Sequence, residues 1–124
     1  MPTYLRGAVP PDDTGQVAWS NVAALFTGST PTARKRDGWV QSAGVFTPAA
    51  GGTLGATFVS AGYLPAGMNP ATAKRVQMMT TMPITIDCII NTNGLVQIRT
   101  FFSAGNTYTT STTFTLDGYT WRTD

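Results

Sequence analysis

The sequence predicts an all-β domain, an antiparallel sandwich or barrel, preceded by an extended arm and a short helix. Three observations lead to this prediction: short β-like runs between turn residues from Asp37 onward, a hairpin pattern in residues 84–102, and a proline-containing start. Closely spaced short strands with turn signals between them are typical of sandwiches and barrels. We therefore divide the chain into residues 1–36, for the arm, helix and a basic linker, and residues 37–124, for the β domain.

The N-terminal part reads as an arm followed by one helix. Residues 1–14 contain three prolines and little periodicity, which favours an extended arm over a packed element. The stretch GQVAWSNVAALF that follows places Trp19 and Phe26 on one helical stripe, with acidic residues before it and a glycine after it. These features predict a helix of about three turns over residues 15–26, which is too short to be stable without docking on something.

The β domain is predicted to contain strands wherever β-like runs are bounded by turn residues. The turn sequences are TPAAGG, AGYLPAGMNP, TTMP, NTNG, SAGN and LDG. The predicted strands are 39–46, 53–60, 73–79, 84–90, 95–102, 109–116 and 119–122.

The hairpin ITIDCIINTNGLVQIRTFF, residues 84–102, allows two registers. A two-residue turn at Asn93-Gly94 would mix apolar and polar residues on both faces. A three-residue loop over 92–94, closed by Gly94 in the left-handed region as a bulge, makes one face apolar. Because a slip by one residue moves a whole apolar set to the wrong side, we predict the three-residue loop.

This register fixes which side chains face each other. An opposite-charge pair, Asp87 with Arg99, lies on the outer face, where Ile89 and Phe101 are also left. A second copy of the chain is a candidate to cover those two residues. The apolar face pairs Ile90 with Val96, Cys88 with Ile98, Ile86 with Thr100 and Ile84 with Phe102.

Composition argues against several classes of protein. Charged residues are 11% of the 124 residues, against about 25% in an average globular protein, and the net charge of +2 is too small to argue for nucleic acid. The chain has no His, so Ser-His-Asp and Cys-His nucleophiles and the common zinc sites are unavailable. No apolar run is long enough to cross a membrane, and the start does not resemble a signal peptide. We expect no enzyme activity, cofactor, metal or membrane insertion; a small hydrolase with two aspartates is the third-ranked alternative.

Four residues are candidates for binding a ligand: Trp39, Tyr119, Trp121 and Arg122. An aromatic ring can lie flat against the apolar face of a sugar while an arginine holds a hydroxyl or phosphate. The alternative is that the tryptophans cap the core of a small β domain. The lone Cys88 is expected to be a small buried hydrophobe.

A basic cluster and the methionines have two readings each. Arg34, Lys35 and Arg36 could hold phosphate or form a solvated linker. The methionines could line an adaptable surface or fill gaps in a core or subunit interface. They are Met68, Met78, Met79 and Met82.

Two phrases in order carry a family resemblance. GYLPAGMNPATAKRVQM, residues 62–78, followed by INTNGLVQI, residues 90–98, resembles the head domain of receptor-binding and baseplate proteins of tailed bacteriophages. The resemblance spans about residues 39–122. It implies a jelly-roll-like β-sandwich head, a homotrimer, and recognition of a host cell-surface saccharide without catalysis. By position it transfers only structural roles: Leu64, Pro65, Gly67 and Pro70 shape a loop, and Asn93 and Gly94 form the hairpin tip.

We therefore expect a bacteriophage virion protein of the tail fibre or baseplate type, made in the host cytoplasm and located at the tail tip or capsid surface. Residues 1–36 are expected to attach it to other virion proteins, and the alternative is an accessory capsid or tail decoration protein. A saccharide-binding protein should expose Trp39 or Trp121, whereas a decoration protein should bury both rings. The expected anchoring residues are Trp19, Phe26, Arg34, Lys35 and Arg36.

Overall fold

The computed structural model describes residues 13–101 and 105–124, and over this part the chain is all-β with antiparallel sheets. Its strands are short, as the turn-rich sequence predicts. They are β1 (Val17–Ala18), β2 (Asn21–Val22), β3 (Thr32–Arg36), β4 (Trp39–Ala43), β5 (Val45–Phe46), β6 (Gly52–Leu54), β7 (Val59–Tyr63), β8 (Lys74–Thr80), β9 (Ile86–Ile90), β10 (Leu95–Thr100), β11 (Asn106–Tyr108), β12 (Phe114–Thr115) and β13 (Thr120–Arg122).

The strands form three sheets. A four-stranded sheet has the order β1-β3-β4-β13, and a seven-stranded sheet has the order β2-β7-β10-β9-β8-β12-β5. A small third sheet pairs β11 with β6. Since β4 pairs with β13, the first and last predicted strands of the β domain are neighbours, as the candidate ligand site requires.

The central hairpin confirms the predicted register. Asp87 pairs with Arg99, and the apolar residues between Ile86 and Ile90 meet their predicted partners on β10. The Gly94 amide donates to the Asn91 carbonyl oxygen at 2.9 Å, and Gly94 has a φ of 87°. The three-residue loop with a left-handed glycine is therefore present. The predicted pair of Ile84 with Phe102 lies outside the described residues, because Phe102 is not among them.

The helix predicted over residues 15–26 is wrong, and the described residues contain no α-helix. This stretch instead forms β1, β2 and one turn of 3₁₀ helix, Ala24–Phe26. The Trp19 amide donates to the Pro31 carbonyl oxygen and the Ala23 amide to the Ala61 carbonyl oxygen, both at 3.1 Å. Backbone groups in so short a segment are satisfied by neighbouring strands instead of by a marginal helix.

The basic linker is also a strand. Arg34, Lys35 and Arg36 lie in β3, which pairs along its length with β4. The connecting residues Asp37 and Gly38 both have positive φ, 53° and 79°, and form the two-residue turn that such hairpins favour. The boundary that we drew at residue 36 therefore falls inside a hairpin, and residues 13–36 belong to the same fold as the rest.

The buried hydrophobic residues form one core cluster, to which strands of both larger sheets contribute. An aromatic cluster occupies one part of it: Trp19 meets Phe46 edge-on at 5.0 Å between ring centres, and Phe26 meets Phe114 edge-on at 5.6 Å. Such aromatic pairs stabilise a core beyond the area they bury. The sequence pattern thus identified Trp19 and Phe26 correctly as core residues, but it assigned them to the wrong secondary structure.

Cysteine and methionine follow the simpler interpretation. Cys88 is fully buried, and burial, followed by the charge of Asp87, raises the pKa of its thiol to about 12. Met68, Met78 and Met82 are buried in the core, whereas Met79 is 73% exposed. Nowhere in the described ranges is there a helix with the length and apolar character needed to span a membrane.

Candidate functional site

Strict alternation gives the four-stranded sheet two different faces. Ala33, Val40, Ser42 and Trp121 point inward and are buried. The opposite set points outward, and we call it the Trp39 face. Its residues are Arg34, Arg36, Trp39, Gln41, Thr120 and Arg122.

The sheet register arranges the Trp39 face as two rows of three residues. In one row Trp39 lies between Arg36 and Arg122. The adjacent row has the polar residues Arg34, Gln41 and Thr120, again directly opposite one another. Residues opposite each other on one face of a sheet have their Cβ atoms about 5 Å apart, so the six side chains form one continuous surface.

Trp39 is the aromatic centre of this surface. Its side chain is 50% exposed, and the guanidinium carbon of Arg122 lies over the ring, 5.1 Å from the ring centre. Asp124 holds Arg122 in place by accepting hydrogen bonds from its Nε and Nη2, both at 2.8 Å. The ring is therefore held by a cation that is itself fixed, while half of its surface faces solvent.

A second carboxylate, that of Asp13, fixes Arg34 on the other side of the Trp39 face. Asp13 accepts hydrogen bonds from Arg34 Nε at 2.9 Å and Arg34 Nη2 at 2.7 Å, and one from the Gly15 amide at 3.1 Å. The Arg34 hydrogen bonds, and then that of Gly15, lower the pKa of Asp13 to about 2. Arg36 approaches the same carboxylate only to 3.8 Å and its side chain is 58% exposed, so it is weakly held.

Two clefts border the Trp39 ring. One, of about 350 Å³, is lined by residues that include Arg34, Arg36 and Asp37. The other, of about 450 Å³, is lined by residues that include Lys74 and Arg122. Trp39 and Thr120 line both clefts, so the aromatic ring stands between them.

Two of the four predicted ligand residues are not on this surface. Trp121 is only 4% exposed, and its indole Nε1–H donates to the Met68 carbonyl oxygen at 2.7 Å. Tyr119 is half-buried and its hydroxyl donates to the Gln77 carbonyl oxygen at 3.2 Å; burial raises its pKa. Both side chains point to the inner side because they alternate with Thr120 and Arg122 along β13. For Trp121 the core-capping alternative is correct.

The predicted anchoring residues lie in different parts of the structure. Trp19 and Phe26 are buried in the core, so they cannot contact another protein without unfolding. Lys35 Nζ donates to the Gly67 carbonyl oxygen at 3.2 Å, which ties β3 to the loop at residues 64–70. Arg34 and Arg36 are the members of this set that join the Trp39 face.

Sequence reasoning missed four contributors to the site: Gln41, Thr120, Asp13 and Asp124. The Asp37-Gly38 dipeptide is a strong hairpin signal, and it implied a strand on both sides of the turn. That signal, followed by alternation, would have placed Arg34, Arg36 and Gln41 on one face with Trp39, whereas Thr120 joins them through the pairing of β4 with β13. The contacts of Asp13 and Asp124 depend on the direction that the chain takes at the ends of the strands. No sequence pattern comparable to the Asp37-Gly38 dipeptide predicts these contacts.

The outer face of the seven-stranded sheet carries a different arrangement, which we call the Asp87 cluster: Asp87, Arg75, Arg99 and Phe58. Asp87 is buried and accepts hydrogen bonds from Arg75 Nε at 3.2 Å and from Arg99 Nε at 2.9 Å. The Arg99 guanidinium lies over the Phe58 ring, 4.3 Å from its centre. Burial opposes ionisation of Asp87, but hydrogen bonds from Arg75 and then Arg99 outweigh it and lower its pKa.

Among the remaining described carboxylates, Asp117 contacts the backbone of a distant turn. Asp117 accepts a hydrogen bond from the Gly44 amide at 2.6 Å, as expected of a turn residue. Within residues 13–101 and 105–124, no group of three or more His, Cys, Asp and Glu side chains could hold a metal ion. Comparisons with protein-family models, curated proteins and solved structures gave no significant match. The resemblance to phage head domains therefore rests on the two sequence phrases.

Proposed function

We propose that this chain is a bacteriophage virion protein of the tail fibre or baseplate type, whose head binds a host cell-surface saccharide without catalysis. The observation that carries the proposal is the half-exposed Trp39 ring, fixed by Arg122 between two clefts. The head is proposed to be a jelly-roll-like β-sandwich, because the inner faces of its two larger sheets share one core.

The chemistry of the Trp39 face suits a sugar. An exposed indole can pack against the apolar C–H face of a pyranose, and the surrounding Gln41, Thr120 and arginines can hydrogen-bond its hydroxyls. Concave surfaces with an aromatic wall and a few convergent polar groups are the usual form of ligand sites. Half-exposed Trp39 would bury more of its surface in such a complex.

Binding without turnover fits the state of the nearby acids. Asp13 and Asp124 each accept two hydrogen bonds from an arginine. A general acid for glycoside cleavage needs a raised pKa, whereas the pKa of Asp13 is lowered to about 2. The proposal therefore includes no catalytic residue and no cofactor.

The proposed assembly is a homotrimer in the virion, at the tail tip or capsid surface, after synthesis in the host cytoplasm. The outer face of the seven-stranded sheet is the proposed trimer contact, since Met79 and Phe101 are exposed there by 73% and 51%. Attachment to other virion proteins is assigned to residues 1–36, with the buried Trp19 and Phe26 and the two Trp39-face residues Arg34 and Arg36 removed from the contact set.

The test compares two exposed aromatic residues in a binding assay. Purified wild-type protein, Trp39→Ala and Phe101→Ala are measured on candidate host cells and on their extracted wall polysaccharide, with mass in solution determined alongside. We expect Trp39→Ala to weaken binding by about tenfold or more while costing at most about 1 kcal/mol of stability. Phe101→Ala removes a ring of similar exposure from the other sheet, at the proposed trimer contact, so its affinity is compared per head at the oligomeric state that its mass shows, and that affinity should be unchanged. Equal losses in both variants would contradict the proposed site.

The decoration role remains the second candidate because of Trp121. A decoration protein should bury both tryptophans; Trp121 is buried and meets this expectation, whereas Trp39 is half exposed and does not. Folded wild-type protein that binds no candidate host, yet is incorporated into particles, would favour this second function.

A further inference from the structure

The basic residues around Trp39 differ in how far they are already paired. Arg34 is held by two hydrogen bonds to Asp13, and Arg122 by two to Asp124. Such fork-shaped pairs neutralise the guanidinium and occupy its donors. These two arginines therefore shape the surface and contribute little attraction for a charged ligand.

Among the described basic residues that border Trp39, Arg36 and Lys74 remain available. The nearest carboxylate oxygen to Arg36 is 3.8 Å from its Nε, beyond hydrogen-bond distance, and belongs to an aspartate already held by Arg34. Lys74 makes no side-chain hydrogen bond or ion pair within the described part of the chain. Arg36 lines the cleft on one side of Trp39 and Lys74 lines the cleft on the other.

We infer that the ligand of the Trp39 face is a negatively charged polysaccharide that crosses the Trp39 ring, with one acidic group at Arg36 and another at Lys74. This inference rests on the proposed function and adds the charge and the span of the ligand. A neutral sugar would leave both cations unused, whereas a chain carrying carboxylate, sulfate or phosphate groups pairs with each of them. Since both clefts meet at Trp39, a segment of chain fills the surface better than a single sugar.

The first experiment is a glycan array that carries neutral, uronic-acid, sulfated and phosphorylated oligosaccharides. We expect the bound members to be acidic and longer than a disaccharide. The best-bound oligosaccharide is then compared with its carboxyl-reduced, desulfated or dephosphorylated form, which identifies the acidic group. Removal of that group should weaken binding at least about fivefold, and the binding of the acidic form should fall as salt rises.

Three variants locate the charge effect on the Trp39 face. Arg36→Gln and Lys74→Gln should each weaken binding of the acidic oligosaccharide by about two- to fivefold, with the two effects multiplying in the double variant. Neither should alter binding of the neutral form. Arg75→Gln is the matched control, because it removes the same charge from the other sheet while Asp87 keeps Arg99.

The outcomes separate the inference from the proposed function. Selective binding of neutral glycans would overturn the inference and leave the proposed function standing, whereas no glycan binding by the folded protein would overturn both. An effect of Arg75→Gln equal to that of Arg36→Gln would show non-specific attraction and also overturn the inference. Tighter binding of oligothymidylate than of any glycan, with loss in the same variants, would reassign the surface to single-stranded nucleic acid.

Discussion

The outer faces of the two larger sheets use the same kinds of side chain in opposite ways. In the Asp87 cluster two arginines converge on one buried carboxylate, and an aromatic ring lies against one of the arginines. On the Trp39 face each of two carboxylates holds mainly one arginine, the ring is half exposed, and Arg36 is only weakly held. The first arrangement satisfies its charges internally, and the second leaves a ring and a cation for a ligand.

This difference teaches how stability and binding can be divided between surfaces with similar composition. A buried carboxylate is stable only when it is paired and hydrogen-bonded, so its arginines have a structural role. Exposed pairs contribute little to stability, so side chains around them are free to serve recognition. We therefore expect substitutions in the Asp87 cluster to alter stability and those on the Trp39 face to alter binding.

The largest expected effect on stability comes from Asp87→Ala. Removal of the carboxylate leaves Arg75 and Arg99 side by side without their shared partner. Because both guanidinium groups keep some contact with water, the cost should be about 2 kcal/mol, below that of a fully buried pair. Thermal unfolding followed by circular dichroism measures this as a fall in Tm of roughly 8 °C.

Asp13→Ala is the matched variant on the Trp39 face, since it also removes a carboxylate from two arginines. It should shift the Tm less than Asp87→Ala, because Asp13 holds only Arg34 by hydrogen bonds and Arg36 lies 3.8 Å away, whereas both arginines of the Asp87 cluster hydrogen-bond to Asp87. Equal shifts in the two variants would remove the distinction between a structural and a binding face.

Gly94→Val should have the next largest effect, because Gly94 sets the register that puts Asp87 opposite Arg99. Gly94 has a φ of 87°, and a Cβ there would lie 2.4 Å from Asn69 Oδ1. Backbone strain for a β-branched residue should cost about 1–2 kcal/mol, with the contact adding to it. Gly118→Val is the control. Gly118 has a φ of 81° with open space around it, so this variant measures the cost of backbone strain without a steric contact. An unchanged Tm for Gly94→Val would contradict the three-residue loop.

The smallest expected effect is the response to acid. Both Asp13 and Asp87 have a lowered pKa in the folded protein, that of Asp13 falling from 3.8 to about 2. A lowered folded pKa stabilises the protein above the ordinary value and loses that contribution as pH falls through the folded one. We expect a constant Tm from neutral pH to about 4 and a decline toward about pH 2. Asp13→Ala should flatten this decline more than Asp87→Ala, because the pKa of Asp13 falls to about 2, and an equally steep decline in Asp13→Ala would assign the acid response elsewhere.

Some features followed directly from sequence because one physical requirement decided them. The register of β9 and β10 was predictable, since a slip by one residue would have placed Arg99 opposite Cys88 on the apolar face. The helix was not, because a stripe through Trp19 and Phe26 fits a helix and also fits two very short strands followed by a 3₁₀ turn. Pattern alone does not show which neighbouring strands will accept the backbone hydrogen bonds of such a segment.

The candidate site was predicted in part for a similar reason. Trp39 and Arg122 share a face because β4 and β13 pair, and that pairing connects segments about 80 residues apart in the chain. Trp121 could have been excluded from sequence, since it alternates with Arg122 along one strand. How closely Arg36 is paired depends on where Asp13 lies in the tertiary structure, which the sequence pattern does not show.

The very short strands at the sheet edges have a consequence for how the protein avoids fibril-like aggregation. Among the described strands, β1, β2 and β5 stand at sheet edges and have two residues each. A chain with only 11% charged residues has little electrostatic repulsion to keep copies apart. Edges of two residues offer too few free backbone groups for another chain to add a strand, so they guard against fibril-like growth where charge does not.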